Sequence, residues 1–226
     1  MQRIVITGAN GLIGSHLSPL LEKEGFDVVH LTRDRKSGDR TKSFVWDPAR
    51  SYADSDAFRP GDIIIHLAGA NIGSGRWTGK RKEEIISSRV SSAALLFSKT
   101  AGAGIIPSAY ITASASGYYG AVTGQRIFTE SDPPAADFLG ETCRRWEEAA
   151  QPFAEKGVRV VRIRTSVVFS ASGSALSKMK MPASFGLIVR PGPGDQYLPW
   201  IHIDDLCSVY LMAVREAGMS GAYNAA

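Results

Sequence analysis

Two groups of residues in this sequence have types and spacings that could do chemistry. Gly8, Gly11 and Gly14 recur at every third position in ITGANGLIG. Ser114 and Ser116 are followed at once by Tyr118 and Tyr119 in SASGYY. The glycine set suits close contact with a pyrophosphate. Gly8 permits a tight turn, Gly11 lets backbone approach the phosphates, and Gly14 lets a helix pack against a strand. Asn10, Leu12 and Ile13 complete the same turn, whose free helix N–H groups would face an anion. The hydroxyl set could polarise a substrate oxygen or hand it a proton. An unperturbed tyrosine, with a pKa near about 10, is a poor base at neutral pH and needs an activating group.

These residues need elements that hold them. RIVITG reads as a buried parallel strand, LIGSHLSPLLEKEG as a helix stopped by Gly25, and FDVVHLTR as a second strand. Strand, glycine turn, helix and strand together are the context in which the glycines imply a dinucleotide. The end of the second strand should report its type. Arg33 stands there, with Arg35 and Lys36 beyond it, and guanidinium groups pair well with a 2′-phosphate. That favours NADP. Asp34 keeps NAD open, because an acidic residue one step away would hold ribose hydroxyls.

KSFVWD is a short third strand, and 48–61 read as loop with room for a short helix. DIIIHLAG is the next buried strand. Its end, Leu67, Ala68 and Gly69, should pass beside the cofactor, while His66 reads as a core histidine. The segment after it begins as a loop and becomes a long helix. Arg76, Trp77, Lys80, Arg81 and Arg89 form a mixed aromatic and basic set near its start, which could contact an anionic substrate or cofactor or be a solvated face. Arg76 and Trp77 read equally either way, and Lys80 and Arg81 as solvated. SAYITASAS is a fifth strand, FLGETCRRWEEAAQPFAEKG a helix, and VRVVRIRTSVVF (158–169) a sixth strand. This alternation implies an α/β fold: a doubly wound, mostly parallel Rossmann sheet with helices on both faces. Residues 1–170 form the NAD(P)-binding domain. Residues 171–226 form a partial substrate-side region that returns a helix, begun by Asp204 and Asp205, and a strand in SGAYNAA.

Composition narrows the partners. The 226 residues carry a formal charge of +4, with basic residues scattered rather than run together, so a nucleic-acid surface is not expected. Cys143 and Cys207 lie far apart, which argues against a disulfide framework. No stretch approaches the roughly 18 uninterrupted apolar residues of a spanning helix, and the N-terminus leads straight into a glycine turn. The expected partner is a small-molecule substrate in the cytoplasm. Monomer and homodimer both stay open.

ITGANGLIGSHL, IIIHLAGANI, RWTGKRKEEIISSRV, SASGYYG, DFLGETCRRWE and LPWIHIDDL together resemble the extended short-chain dehydrogenase/reductase superfamily. More closely, they resemble its atypical epimerase family proteins, related to nucleoside-diphosphate-sugar epimerases. The resemblance spans nearly the whole chain. It implies hydride transfer between a nicotinamide cofactor and a small polar, sugar-nucleotide-like substrate, by an oxidoreductase or an epimerase. The superfamily site pairs a serine or threonine with a tyrosine and a lysine spaced YxxxK. The tyrosine exchanges the proton, and the lysine tunes it and holds the nicotinamide ribose. Here the matching segment offers Phe138 with Thr142, or Leu139 with Cys143, and neither gives a proton donor and a cation. The resembled group itself lacks that pair. Tyr118 or Tyr119 then remains as proton donor, with Ser114 or Ser116 polarising the substrate oxygen. The alternative is a dinucleotide-binding sensor or scaffold without turnover. The resembled proteins continue beyond a strand like AYNAA, so this chain is expected to hold its cofactor better than its substrate.

Overall fold

Arg3–Thr7 (β1) carries the alternation that splits the core in two. Ile4 and Ile6 face one layer and Val5 the other, all fully buried. The same alternation in Ile63–His66 (β5) sends Ile63 and Ile65 to the first layer and Ile64 to the second. A strand apolar on both faces must be covered on both. The first layer is closed by Leu12–Lys23 (α1) and Ile203–Arg215 (α5), through Leu17, Leu21 and Tyr210. The second is closed by Gly79–Gly102 (α2), Phe138–Glu148 (α3) and Gln151–Glu155 (α4), with Leu96 and Phe153 at its centre. The computed structural model describes residues 1–33, 42–121, 124–171, 176, 186 and 196–226.

The remaining strands are Asp27–Thr32 (β2), Lys42–Asp47 (β3), Tyr52–Ala53 (β4), Ala109–Ala115 (β6), Arg159–Thr165 (β7), Val167–Phe169 (β8), Trp200–His202 (β9) and Gly221–Ala225 (β10). Eight strands form one sheet in the order β10-β7-β6-β5-β1-β2-β3-β4, and β8 pairs with β9 apart from it. Every pairing is parallel except β3 with β4. The chain winds outward from β1 to β3, then returns to the other side of β1 as β5. The carboxyl ends of β1 and β5 therefore bound the switch point where open α/β sheets take ligands.

Three local expectations differ from the structure. The sixth strand, expected as one run over 158–169, breaks at Ser166. The Ser166 N–H donates to the Ala225 carbonyl (2.9 Å), and the chain then leaves the main sheet to pair with β9. The helix expected through 138–157 breaks after Ala149, and Pro152 opens the next one. The cap of α5 is His202, whose Nδ1 accepts from the Asp204 N–H at 3.3 Å. Asp204 and Asp205 sit in the first turn, where their charge still suits the helix dipole. Much of the segment beyond 171, expected to begin a substrate-side region, lies outside the described residues. Its last elements, α5 and β10, pack on the main sheet, with β10 alongside β7.

Candidate functional site

The turn after β1 is shaped by what its glycines exclude. Gly8 has φ 71°, and a Cβ there would lie 2.8 Å from the Leu67 carbonyl carbon. A Cβ at Gly14 would lie 2.6 Å from the Ala9 Cα and from the Gly8 oxygen. Gly11 differs, because its Cβ would meet only the Gly8 oxygen, at 3.2 Å. Gly11 is the N-cap of α1 without a side-chain cap, and no acidic residue occupies the first helical turn. That leaves the helix N-terminus available to an anion. Leu12 and Ile13 supply backbone here while their side chains pack on the core.

A cleft of about 900 Å³ opens above this turn. The structure brings Gly8, Asn10 and Gly11 into its wall, with Arg33 from the end of β2 and Leu67, Ala68 and Gly69 from the end of β5. Asp34, Arg35 and Lys36 lie outside the described residues. α2 contributes Ser88 and Ser92, which sequence reasoning passed over.

His66 explains how the β5 end is held. It is fully buried, which lowers its pKa to about 4 and keeps it neutral. Its Nδ1 lies 2.7 Å from Thr7 Oγ1, and that oxygen accepts from the N–H groups of Leu67 and Ala68, both at 3.2 Å. The Thr7 proton must therefore point at Nδ1. Nε2–H then donates to Ser92 Oγ (2.9 Å), which donates to the Arg89 carbonyl (2.9 Å). The Ala70 N–H donates to Ser88 Oγ at 3.0 Å. One relay thus fixes the cleft wall to β1 and to α2.

The hydroxyl set lies at the end of β6 and in the turn that follows. Ser114 is buried and donates to Glu147 Oε1 at 2.6 Å. Glu147 also receives Arg164 in a two-point contact, Nε to Oε1 at 2.8 Å and Nη2 to Oε2 at 3.0 Å. The Tyr119 hydroxyl accepts from Arg164 Nη1 at 2.8 Å, and it lies 2.7 Å from Asn224 Oδ1 and 3.0 Å from the Thr129 carbonyl. Ser116 lines a second pocket, of about 370 Å³, with the Tyr119 ring, Arg164 and Asn224. Tyr118 is half-buried and lays its ring on the Arg164 guanidinium, 3.5 Å from the ring centroid. Burial raises its pKa above the ordinary 10, against the pull of Arg164. Arg164 and Glu147 went unnoticed in the sequence, although charge recurring in a buried strand, VRVVRIRT, marks a place where charges must be paired.

The face of α3 toward this turn carries no acid–base pair. Leu139 packs on Gly117, and Thr142 spends its hydroxyl on the Phe138 carbonyl at 2.6 Å. Burial pushes the Cys143 thiol up to about 11. The Phe138 ring packs on the Trp77 ring (5.2 Å between centroids), and the Lys82 ammonium lies 5.0 Å from its centroid. Trp77 donates its indole N–H to the Ile72 carbonyl, and Arg81 pairs with Glu84 at 2.7 Å.

A doubly wound sheet with this turn at its switch point is that of an extended short-chain dehydrogenase/reductase. Within that class the chain belongs to the NAD dependent epimerase/dehydratase family, whose profile matches residues 4–226. An epimerase family protein of Mycobacterium leprae is 34% identical over 221 residues, 98% of this chain and 70% of the relative. Among solved structures, a nucleoside-diphosphate sugar epimerase from Corynebacterium glutamicum is 35% identical with a TM-score of 0.83. The match covers 99% of this chain and 46% of that one, so the present chain spans less than half of it. Human epimerase family protein SDR39U1, solved with NADPH, is 28% identical with a TM-score of 0.86, over 99% of this chain and 74% of that one. Among the described residues no helix is long and apolar enough to cross a membrane, and no His, Cys, Asp and Glu cluster could hold a metal ion.

Proposed function

We propose that this chain binds NADP(H) in the cleft above the glycine turn and serves hydride transfer with a small polar, sugar-nucleotide-like substrate. The observation that carries the reading is the turn itself. Its backbone is too close for side chains at Gly8 and Gly14, while Gly11, at the uncapped end of α1, borders the cleft. That arrangement fits a pyrophosphate. Arg33 at the end of β2 supports the phosphorylated cofactor, as does the NADPH in the human relative. NAD is the competing reading. The name of the Corynebacterium protein supports the substrate class. Two buried, unpaired cysteines suit the reducing cytoplasm.

When bound, the nicotinamide supplies or accepts the hydride, and this chain's residues handle the proton. Tyr118 is the proton donor. It is protonated at neutral pH and can act as an acid on a substrate oxygen, with the Arg164 guanidinium on its ring opposing the rise that burial causes. Ser116 polarises that oxygen from the neighbouring pocket. Ser114 and Tyr119, each engaged by buried partners, position the turn that carries Ser116 and Tyr118. A sensor or scaffold without turnover is the second reading, favoured by the lack of a proton donor and cation on the facing side of α3.

Calorimetric titration of the chain with NADPH and NADH tests the cofactor. NADPH should bind more tightly, and Arg33→Ala should weaken it selectively, by about 1.5–3 kcal/mol for one charge-assisted contact. Tighter NADH binding would reverse the cofactor assignment. A substrate screen that follows reduced-nicotinamide absorbance separates the enzyme from the sensor.

A further inference from the structure

Arg89, on α2, is only 9% exposed and has no ion-pair partner among the described residues. Its Nη1 donates to the Ile85 carbonyl at 2.8 Å. Its guanidinium lies over the Trp146 ring, 4.7 Å from the centroid, and the Trp146 indole N–H is itself buried without an acceptor among the described residues. The other buried arginines are treated differently. Arg3 pairs with Asp62 at 2.6 Å and Arg164 with Glu147 at 2.8 Å. A guanidinium offers five N–H donors, and at Arg89 the hydrogen bond seen among the described residues goes to one carbonyl, with no carboxylate opposite the charge. A cation this far buried without a counter-ion calls for an explanation.

Its position indicates the use. A Cβ at Gly69 would lie 3.1 Å from Arg89 Cζ, so the guanidinium packs directly against a residue of the cleft wall. Ser88 and Ser92, on either side of it along α2, also line the cleft. Cys143 lies close enough for its thiol to feel the positive charge. Burial lowers the Arg89 pKa, but a guanidinium starts so high that it stays a cation.

The sheet order gives the cleft a direction. From β2 through β1 to β5 and β6, it passes Arg33, then the free end of α1, then Gly69. A dinucleotide laid across this switch point has its adenosine ribose at the β2 end and its pyrophosphate at α1. Its second half then lies beyond β5, where Arg89 is. We propose that Arg89 is a cofactor-binding residue for that second half, donating to its sugar and phosphate oxygens, and that the ligand supplies the acceptors the fold withholds. The cation comes from α2, whereas α3 brings the Trp146 ring and the Cys143 thiol against it. The proposal rests on the dinucleotide reading above and deepens it.

The experiment compares the intact dinucleotide with its adenosine half, using calorimetry on the full chain. The probes are NADPH and 2′,5′-ADP, or NADH and ADP if NADH is the tighter ligand. Arg89→Gln should weaken the intact dinucleotide by at least about tenfold, the worth of a charge-assisted contact, and leave the adenosine half unchanged. Arg89→Lys should keep part of the affinity. Without ligand, thermal unfolding of Arg89→Gln should come at the same temperature as the unaltered chain or higher, because an unpaired buried charge has been removed. Equal loss for both probes, or no loss for either, overturns the proposal, and so does an Arg89→Lys variant that folds and binds no better than Arg89→Gln. Should the unaltered chain bind neither dinucleotide, the cofactor reading itself fails, which is a separate and distinguishable result.

Discussion

Arg164 on β7 and Glu147 on α3 meet through two hydrogen bonds, of 2.8 and 3.0 Å, in a place where both side chains are at most a tenth exposed. The same arginine bonds Tyr119 and lies against the Tyr118 ring, and the same glutamate receives Ser114. One buried pair therefore sets the geometry of all but one of the hydroxyl residues that the sequence offered for catalysis. The exception, Ser116, lies in the turn they fix.

Removing one partner of such a pair strands the other charge. Glu147→Ala should cost about 3–5 kcal/mol, and Glu147→Gln less, because an amide still accepts from Arg164. Urea unfolding checks both. A loss under about 1 kcal/mol would mean that solvent reaches the pair.

The sequence made the sheet legible because its strands are short apolar runs bounded by turn residues. RIVIT, DVVHLT and DIIIHL leave no other reading once glycines follow them. The break at Ser166 was not legible. SVVF has the same apolar pattern as the strand before it, and the partner that draws it away, Trp200–His202, lies far along the chain. The glycine turn could be read from its spacing between a strand and a helix, since it needs only local backbone. The relay through Thr7, His66 and Ser92 could not, because each member is ordinary by itself. Their relation exists only after β1, β5 and α2 have packed. Arg89 was legible only as one member of a basic and aromatic set in RWTGKRKEEIISSRV; that it is buried shows only once α2 has packed.

His66 makes stability depend on pH. Its pKa in the fold is about 4, against 6.5 unperturbed. The unfolded chain therefore binds the proton more readily between those values. The contribution is complete above pH 6.5 and is lost as pH falls toward 4. At about 1.36 kcal/mol per unit, the loss should be on the order of 3 kcal/mol. His66→Gln has no ring to titrate and should flatten this part of the profile. Denaturant midpoints measured across the range test it, and an unaltered slope in His66→Gln would assign the dependence elsewhere.

Gly11 and Gly14 should separate binding from folding. A Cβ at Gly14 meets the Ala9 Cα and the Gly8 oxygen at 2.6 Å, backbone atoms that cannot move aside cheaply. Gly14→Ala should cost about 1–3 kcal/mol or more as overpacking. Gly11 has a single contact, at 3.2 Å, and faces the cleft. Gly11→Val should fold with a penalty of about 1 kcal/mol, that of a poor N-cap residue, yet lose cofactor affinity. Thermal unfolding with calorimetric titration reads both properties. Full affinity in Gly11→Val would remove the pyrophosphate from this turn.

Tyr118 and Tyr119 are adjacent in sequence but sit in different electrostatic situations, and removing each hydroxyl should show it. The Tyr119 oxygen accepts from Arg164 and lies against Asn224 on β10, so Tyr119→Phe leaves a buried guanidinium proton and an amide oxygen without a partner. Its main effect should be a stability loss of about 1–3 kcal/mol, with turnover reduced only as far as the turn shifts. Tyr118 carries its ring on Arg164 and keeps a raised pKa, so its hydroxyl is a protonated acid at neutral pH. Tyr118→Phe retains the ring and its cation contact. It should leave folding and cofactor affinity near their original values and lower kcat by about 10²–10⁴, the usual contribution of general acid assistance. Cys143→Ala should change kcat little, because a thiol pushed up to about 11 exchanges no proton near neutrality. These comparisons need a substrate from the absorbance screen, then kcat, cofactor Kd and melting temperature for each variant. A kcat loss at Tyr119 with Tyr118 unaffected would exchange their roles. Unchanged turnover in both would place the proton donor outside this turn.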